Sequence, residues 1–95
     1  MFYFFTGQFK KAEIYLRESI EILKAIYGQK SIEIANELQK LSEILISAQD
    51  WKAALSANQN ASELFEMHYG NSHEAVKELS SARKELKEVI EGLDL

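Results

Sequence analysis

Residues 38–65 read LQKLSEILISAQDWKAALSANQNASELF. Apolar side chains recur here at steps of three and four on both sides of a polar break. Leu38, Leu41 and Leu45 precede Gln49-Asp50, and Trp51, Ala54, Leu55, Ala61, Leu64 and Phe65 follow it. Such steps gather apolar groups on one face of an α-helix, whereas a half-buried strand would alternate with period two. The break is short enough for a tight turn only. The stretch therefore predicts two antiparallel helices packed along their apolar faces.

The same spacing extends outward. Phe9, Ala12, Leu16, Ile20, Leu23 and Tyr27 mark a helix over 9–27, and Ile34 to Ala48 one over 32–48. The stripe from Trp51 to Phe65 belongs to a helix over 51–68, and Val76, Leu79, Ala82, Leu86 and Ile90 mark one over 73–91. The breaks carry the matching chemistry. Gly28 and Gly70 follow the last periodic residue of their helices, where a left-handed residue closes the helix and glycine adopts it without strain. Ser31 and Asp50 are placed to cap the helices that follow, Asn71 and Glu74 have capping-box spacing, and Gly92 is placed to end the fourth helix.

Shifting the chain by 42 positions superposes like on like. Phe9 falls on Trp51, Ala12 on Ala54, Leu23 on Phe65, Tyr27-Gly28 on Tyr69-Gly70 and Ile34 on Val76. A period between about 20 and 50 residues in a helical chain is the signature of stacked helix pairs. The expected fold class is all-α, an array of antiparallel helix pairs with about four main helices. Residues 1–28 would form a partial repeat, 31–70 a full repeat and 72–91 a terminal helix, together one domain over 1–95.

Composition agrees with one small helical domain. The chain has 95 residues, no proline and only four glycines, so little interrupts its helices. The net charge is −4 and its basic residues are interspersed with acidic ones, which argues against nucleic acid as a partner. The opening MFYFF is five residues long and has no basic leader, so it is not a signal peptide. No run approaches the ~20 apolar residues of a membrane span. The lack of cysteine excludes disulfides and cysteine-based zinc sites, and with it goes the expectation of an intracellular location, cytoplasmic or nuclear.

The stretch over 38–65 resembles a tetratricopeptide repeat. Leu38, Leu41 and Leu45 match the large residues of helix A in that repeat, Trp51 and Ala54 the opening of helix B, and Ala61 its second small residue. GQFKKAEIYLRESIEIL, residues 7–23, resembles the helix B of a preceding unit through Gly7, Phe9, Ala12 and Leu16. In this register Tyr3-Phe4-Phe5 is the tail of that unit's helix A, and the chain is expected to be a piece of a longer protein. The sequence departs from the pattern at Asn58, where a large apolar or aromatic residue is usual, and the usual proline near the end of helix B is absent. The combination IYGQKSIEIANELQKLSEIL and HYGNSHEAVKEL, residues 26–45 and 68–79, is similar to the C-terminal helical domain of SET- and MYND-domain protein-lysine methyltransferases. Kinesin-light-chain-type repeats, which also have a 42-residue period and Tyr-Gly connections, are the alternative resemblance.

That family implies a right-handed superhelix whose helix A faces line a concave groove. On this chain the groove positions are Asn36, Gln39, Lys40, Glu43 and Ser47 of the second helix, and Glu78, Ser81 and Glu85 of the fourth. Some such repeats clamp a terminal carboxylate between cationic side chains. Asn36 and Lys40 fit that role, but the corresponding Glu78 and Ala82 do not, so a carboxylate clamp is not expected. Glu43, Glu78 and Glu85 suit a basic or neutral protein or peptide, or the catalytic domain of the same parent chain. The resemblance implies methyltransferase chemistry only for other domains of that parent. This chain is expected to hold no catalytic residue, metal or cofactor, because His68 and His73, with only glutamates nearby, make a poor zinc site. Under the alternative resemblance the chain would belong to an adaptor with no enzymatic parent. Phe2, Tyr3, Phe4 and Phe5 form an apolar patch suited to self-association or to packing on a neighbouring unit.

Overall fold

The chain turns at the glycines that the sequence marks. In the computed structural model, which describes residues 9–93, Gly28 and Gly70 take φ of 89° and 85°. Each donates its backbone N–H to a carbonyl four residues back, Lys24 or Glu66. The described residues form four helices: α1 (Phe9–Tyr27), α2 (Ile32–Ser47), α3 (Trp51–Tyr69) and α4 (Glu74–Leu93). The bounds of α1 and α3 differ by 42 at both ends, the offset of the sequence correspondence. Met1–Gln8, with the aromatic cluster Phe2–Phe5 and Gly7, lie outside the described residues.

The helix ends refine the expected capping. Ser31 caps α2, its Oγ accepting the Ile34 N–H at 3.3 Å. Asp50 stands at the head of α3 and gives no side-chain cap; its backbone carbonyl accepts the Ala54 N–H instead. Between α2 and α3, the Gln49 N–H bonds to the Ile46 carbonyl and the Asp50 N–H to the Leu45 carbonyl, both at 2.9 Å. That crossed pair is a Schellman closure, and it holds Gln49 at φ 62° although it is not glycine. Gly92 does not end α4: the helix continues to Leu93, because glycine weakens a helix without stopping it unless a closing motif follows.

Each helix packs on its neighbours in sequence, α1 on α2, α2 on α3 and α3 on α4. The runs are antiparallel: Ser42 meets Ala54 near the α2–α3 turn, while Lys30 and His68 meet at the far ends. Ala35, Ala54 and Ala61 are wholly buried and let the helix backbones approach, while Ile34, Leu41, Leu45 and Phe65 fill the space between them. Polar groups inside this core are satisfied. Ser42 Oγ donates to the Ala54 carbonyl at 3.2 Å, and Asn58 Nδ2 donates to the Leu79 carbonyl at 3.0 Å. On the surface of α1, the Arg17 guanidinium donates to Glu13 at 2.9 Å and holds that carboxyl below its ordinary range.

Candidate functional site

Among the positions expected to face a groove, α2 brings four together. Asn36, Gln39, Lys40 and Glu43 line a shallow depression with Ser19 and Leu23 of α1 and with Glu33 and Glu37 of α2. Helical spacing explains the α2 set, since residues three, four and seven apart share a face. Lys40 is not a free cation: its Nζ lies 3.1 Å from Glu37 Oε1. Three carboxylates, those of Glu33, Glu37 and Glu43, therefore surround one ammonium that is already paired. The depression is acidic and suits a cationic ligand group.

Ser47 is exposed at the end of α2 and does not line this depression. Glu78, Ser81 and Glu85 are exposed along α4 and also stand apart from it. The α1 contribution, Ser19 and Leu23, was not among the expected positions. The sequence marks Leu23 only as part of the α1 apolar stripe, and the structure leaves it half-buried. The α1–α2 contact, not α2 alone, shapes the depression.

The two histidines serve the connections. His68 Nε2 lies 2.6 Å from the Lys30 carbonyl, which can only accept, so the ring donates there and ties the end of α3 to the α1–α2 turn. His73 stacks on Tyr69 with ring centroids 4.4 Å apart. Its Nδ1 accepts the Ala75 N–H at 3.1 Å, and its carbonyl accepts the N–H groups of Val76 and Lys77. His73 therefore caps α4, the role its spacing suggested for Asn71. His73→Ala is expected to cost about 1 kcal/mol, as loss of an N-cap does, and Asn71→Ala a few tenths at most. Thermal unfolding checks this, since ~1 kcal/mol moves Tm by about 4–8 °C in a domain of this size.

The described residues hold no group of three or more His, Cys, Asp or Glu side chains placed to bind a metal ion. Among their helices none is long and apolar enough to cross a membrane. The fold and its surface define a small all-α stack with an acidic depression between its first two helices.

Its relatives give that stack a context. The chain is 31% identical over 88 residues to protein-lysine N-methyltransferase SMYD4 of Danio rerio, a match that covers 93% of this chain and 11% of that protein. It is 31% identical over 83 residues to the protein of the same name from Gallus gallus, covering 87% of this chain and 11% of the relative. The Mus musculus counterpart is 31% identical over 77 residues, covering 81% and 10%. The chain is thus related to one part of these proteins and spans about a tenth of their length. No family model matches the chain, and no solved structure matches it significantly.

Proposed function

We propose that the chain is a non-catalytic tetratricopeptide-like module, the C-terminal part of a SET/MYND-type protein-lysine methyltransferase, that serves protein–protein or interdomain interaction. The observation that carries this reading is the likeness of 93% of the chain to a tenth of proteins named as lysine methyltransferases. A stretch that small, folded as packed helices with its histidines engaged in connections, leaves methyl transfer and its cofactor to the rest of such a protein. The 42-residue offset of α1 and α3 supports repeat architecture.

The acidic depression is where the module meets its partner, a basic protein segment or a basic face of the parent's catalytic domain. Lysine-rich peptides serve as the probe. The chain is expected to bind them at low salt, while Glu33→Gln combined with Glu43→Lys, both in the depression, keeps its helicity and binds at least about tenfold more weakly, as loss and reversal of complementary charges do. Calorimetric titration measures the affinity, and circular dichroism checks the fold. Unchanged affinity in the double variant would remove this face from the interaction. Methyl transfer to the peptide by the isolated chain, supplied with S-adenosylmethionine, would contradict the non-catalytic reading.

A further inference from the structure

A cleft runs between α1 and α3 above the buried face of α2. Both helices pack on α2, and the space left between them holds about 380 Å³. Leu38 marks its floor. Ile34, Leu41 and Leu45 of the same α2 stripe are at most 2% exposed, whereas Leu38, in the middle of that stripe, is only half-buried. Ile20 of α1, Ile34 of α2, and Leu64 and Met67 of α3 complete the apolar lining. The volume stands at the small end of the roughly 300–1,000 Å³ of small-ligand sites. The cleft is separate from the acidic depression: Ser19 and Leu23 line the depression, Ile20 and Lys24 the cleft.

The charged groups of the cleft divide between its walls. Lys24, near the end of α1, and Lys30, in the α1–α2 turn, stand on one side, and Glu63 of α3 stands on the other. These opposite charges do not close on one another. Lys24 Nζ lies 3.2 Å from Glu21 Oε2, and neither Lys30 nor Glu63 has an ion-pair partner among the described residues. An exposed pair such as Lys24–Glu21 contributes little and exchanges readily for a ligand group. The backbone at Lys30 is held in place, since its carbonyl accepts from His68 Nε2 at 2.6 Å. The amides of Gln29 and Asn60, also in the lining, can serve a ligand group of either charge.

We propose that the cleft binds a free α-amino acid with a large apolar side chain, such as leucine or phenylalanine. The carboxylate meets Lys24 and Lys30, the ammonium meets Glu63, and the side chain rests on Leu38 and Leu64. Other ligands match fewer of these groups. A fatty acid leaves Glu63 without a counter-charge, and a phosphate group is repelled by it. A lysine side chain of a protein partner satisfies Glu63 but leaves both lysines of the cleft unmatched. This site goes beyond the interaction role of the acidic depression and stands or falls independently of it.

Nuclear magnetic resonance titration of the full 95-residue chain with L-leucine and L-phenylalanine tests it. Saturable shifts are expected at the methyl groups of Ile34, Leu38 and Leu64, and none from L-serine at the same concentration. L-phenylalaninamide, which lacks the carboxylate, and N-acetyl-L-phenylalanine, which lacks the ammonium, are each expected to bind about tenfold more weakly, as loss of a charge-assisted contact does. Lys30→Gln and Glu63→Gln change exposed side chains and are each expected to weaken phenylalanine by a similar factor. Lys30→Gln should not weaken the amide form further, nor Glu63→Gln the N-acetyl form, because the contact is already lost. Absence of saturable shifts in the cleft would overturn the proposal. Equal binding of N-acetyl-L-phenylalanine and phenylalanine would overturn it too, and would assign the cleft to an apolar carboxylate alone.

Discussion

Ala54→Trp is expected to lower stability by about 3 kcal/mol or more, the upper end for overpacking a close-packed core. Ala54 is 0% exposed, and its own carbonyl accepts Ser42 Oγ at 3.2 Å, so the α2 backbone lies directly across it. Packed helix axes stand about 8–10 Å apart, and at the shorter end only a methyl group fits between them. An indole there must push α2 away, and that movement breaks the Ser42 bond and loosens Leu41 and Leu45. At about 4–8 °C per kcal/mol, Tm is expected to fall by roughly 12 °C or more. Lys52→Trp, on an exposed position of the same helix, is the control and should shift stability by no more than about 0.5 kcal/mol. Equal melting of the two variants would show that α2 and α3 meet along some other face.

The helices were legible because burial writes a period into sequence. The stripes of α1 and α3 begin at Phe9 and Trp51 as the spacing predicted, and Gly28 and Gly70 both take a positive φ, though Gly70, with ψ 170°, is extended rather than left-handed helical. The end chemistry was less legible. Asp50, Asn71 and His73 all stand near helix starts, and which side chain reaches a backbone N–H depends on the angle at which the chain enters the helix. At α4 the stacking of His73 on Tyr69 holds the ring where its Nδ1 can accept the Ala75 N–H, a constraint with no local sequence mark.

The candidate site was legible only by helix face. Asn36, Gln39, Lys40 and Glu43 share a face of α2 by spacing alone, and they do line one depression. The other wall, Ser19 and Leu23, comes from the preceding helix, and its approach is set by the α1–α2 crossing. An interaction surface also lacks the fixed residue types of a metal centre or a nucleophile and its base, so no motif announces it. The charge could be foreseen, the shape could not.

Asn58 is the position where the sequence departs from an apolar pattern, and the structure gives the departure a physical reason. It is 0% exposed, yet both ends of its amide are used: Nδ2 donates to the Leu79 carbonyl at 3.0 Å, and Oδ1 accepts from Arg83 Nη1 at 3.3 Å. At the positions 42 residues earlier stand Leu16 and Leu41, both buried. An apolar pair between α1 and α2 is thus replaced by an amide–guanidinium pair between α3 and α4. Asn58→Leu alone is expected to cost about 2–3 kcal/mol, because it strips the half-buried Arg83 of its acceptor and removes a buried hydrogen bond. Asn58→Leu combined with Arg83→Leu is expected to recover the part of that loss that comes from the stranded guanidinium, about 1 kcal/mol or more, while the Leu79 carbonyl loses its Asn58 donor in both variants. Urea unfolding of the two single variants and the double one measures the coupling. Additive losses in the double variant would mean that Asn58 and Arg83 act separately, and that the fixed register of α4 on α3 comes from Val76, Leu79 and Leu86 alone.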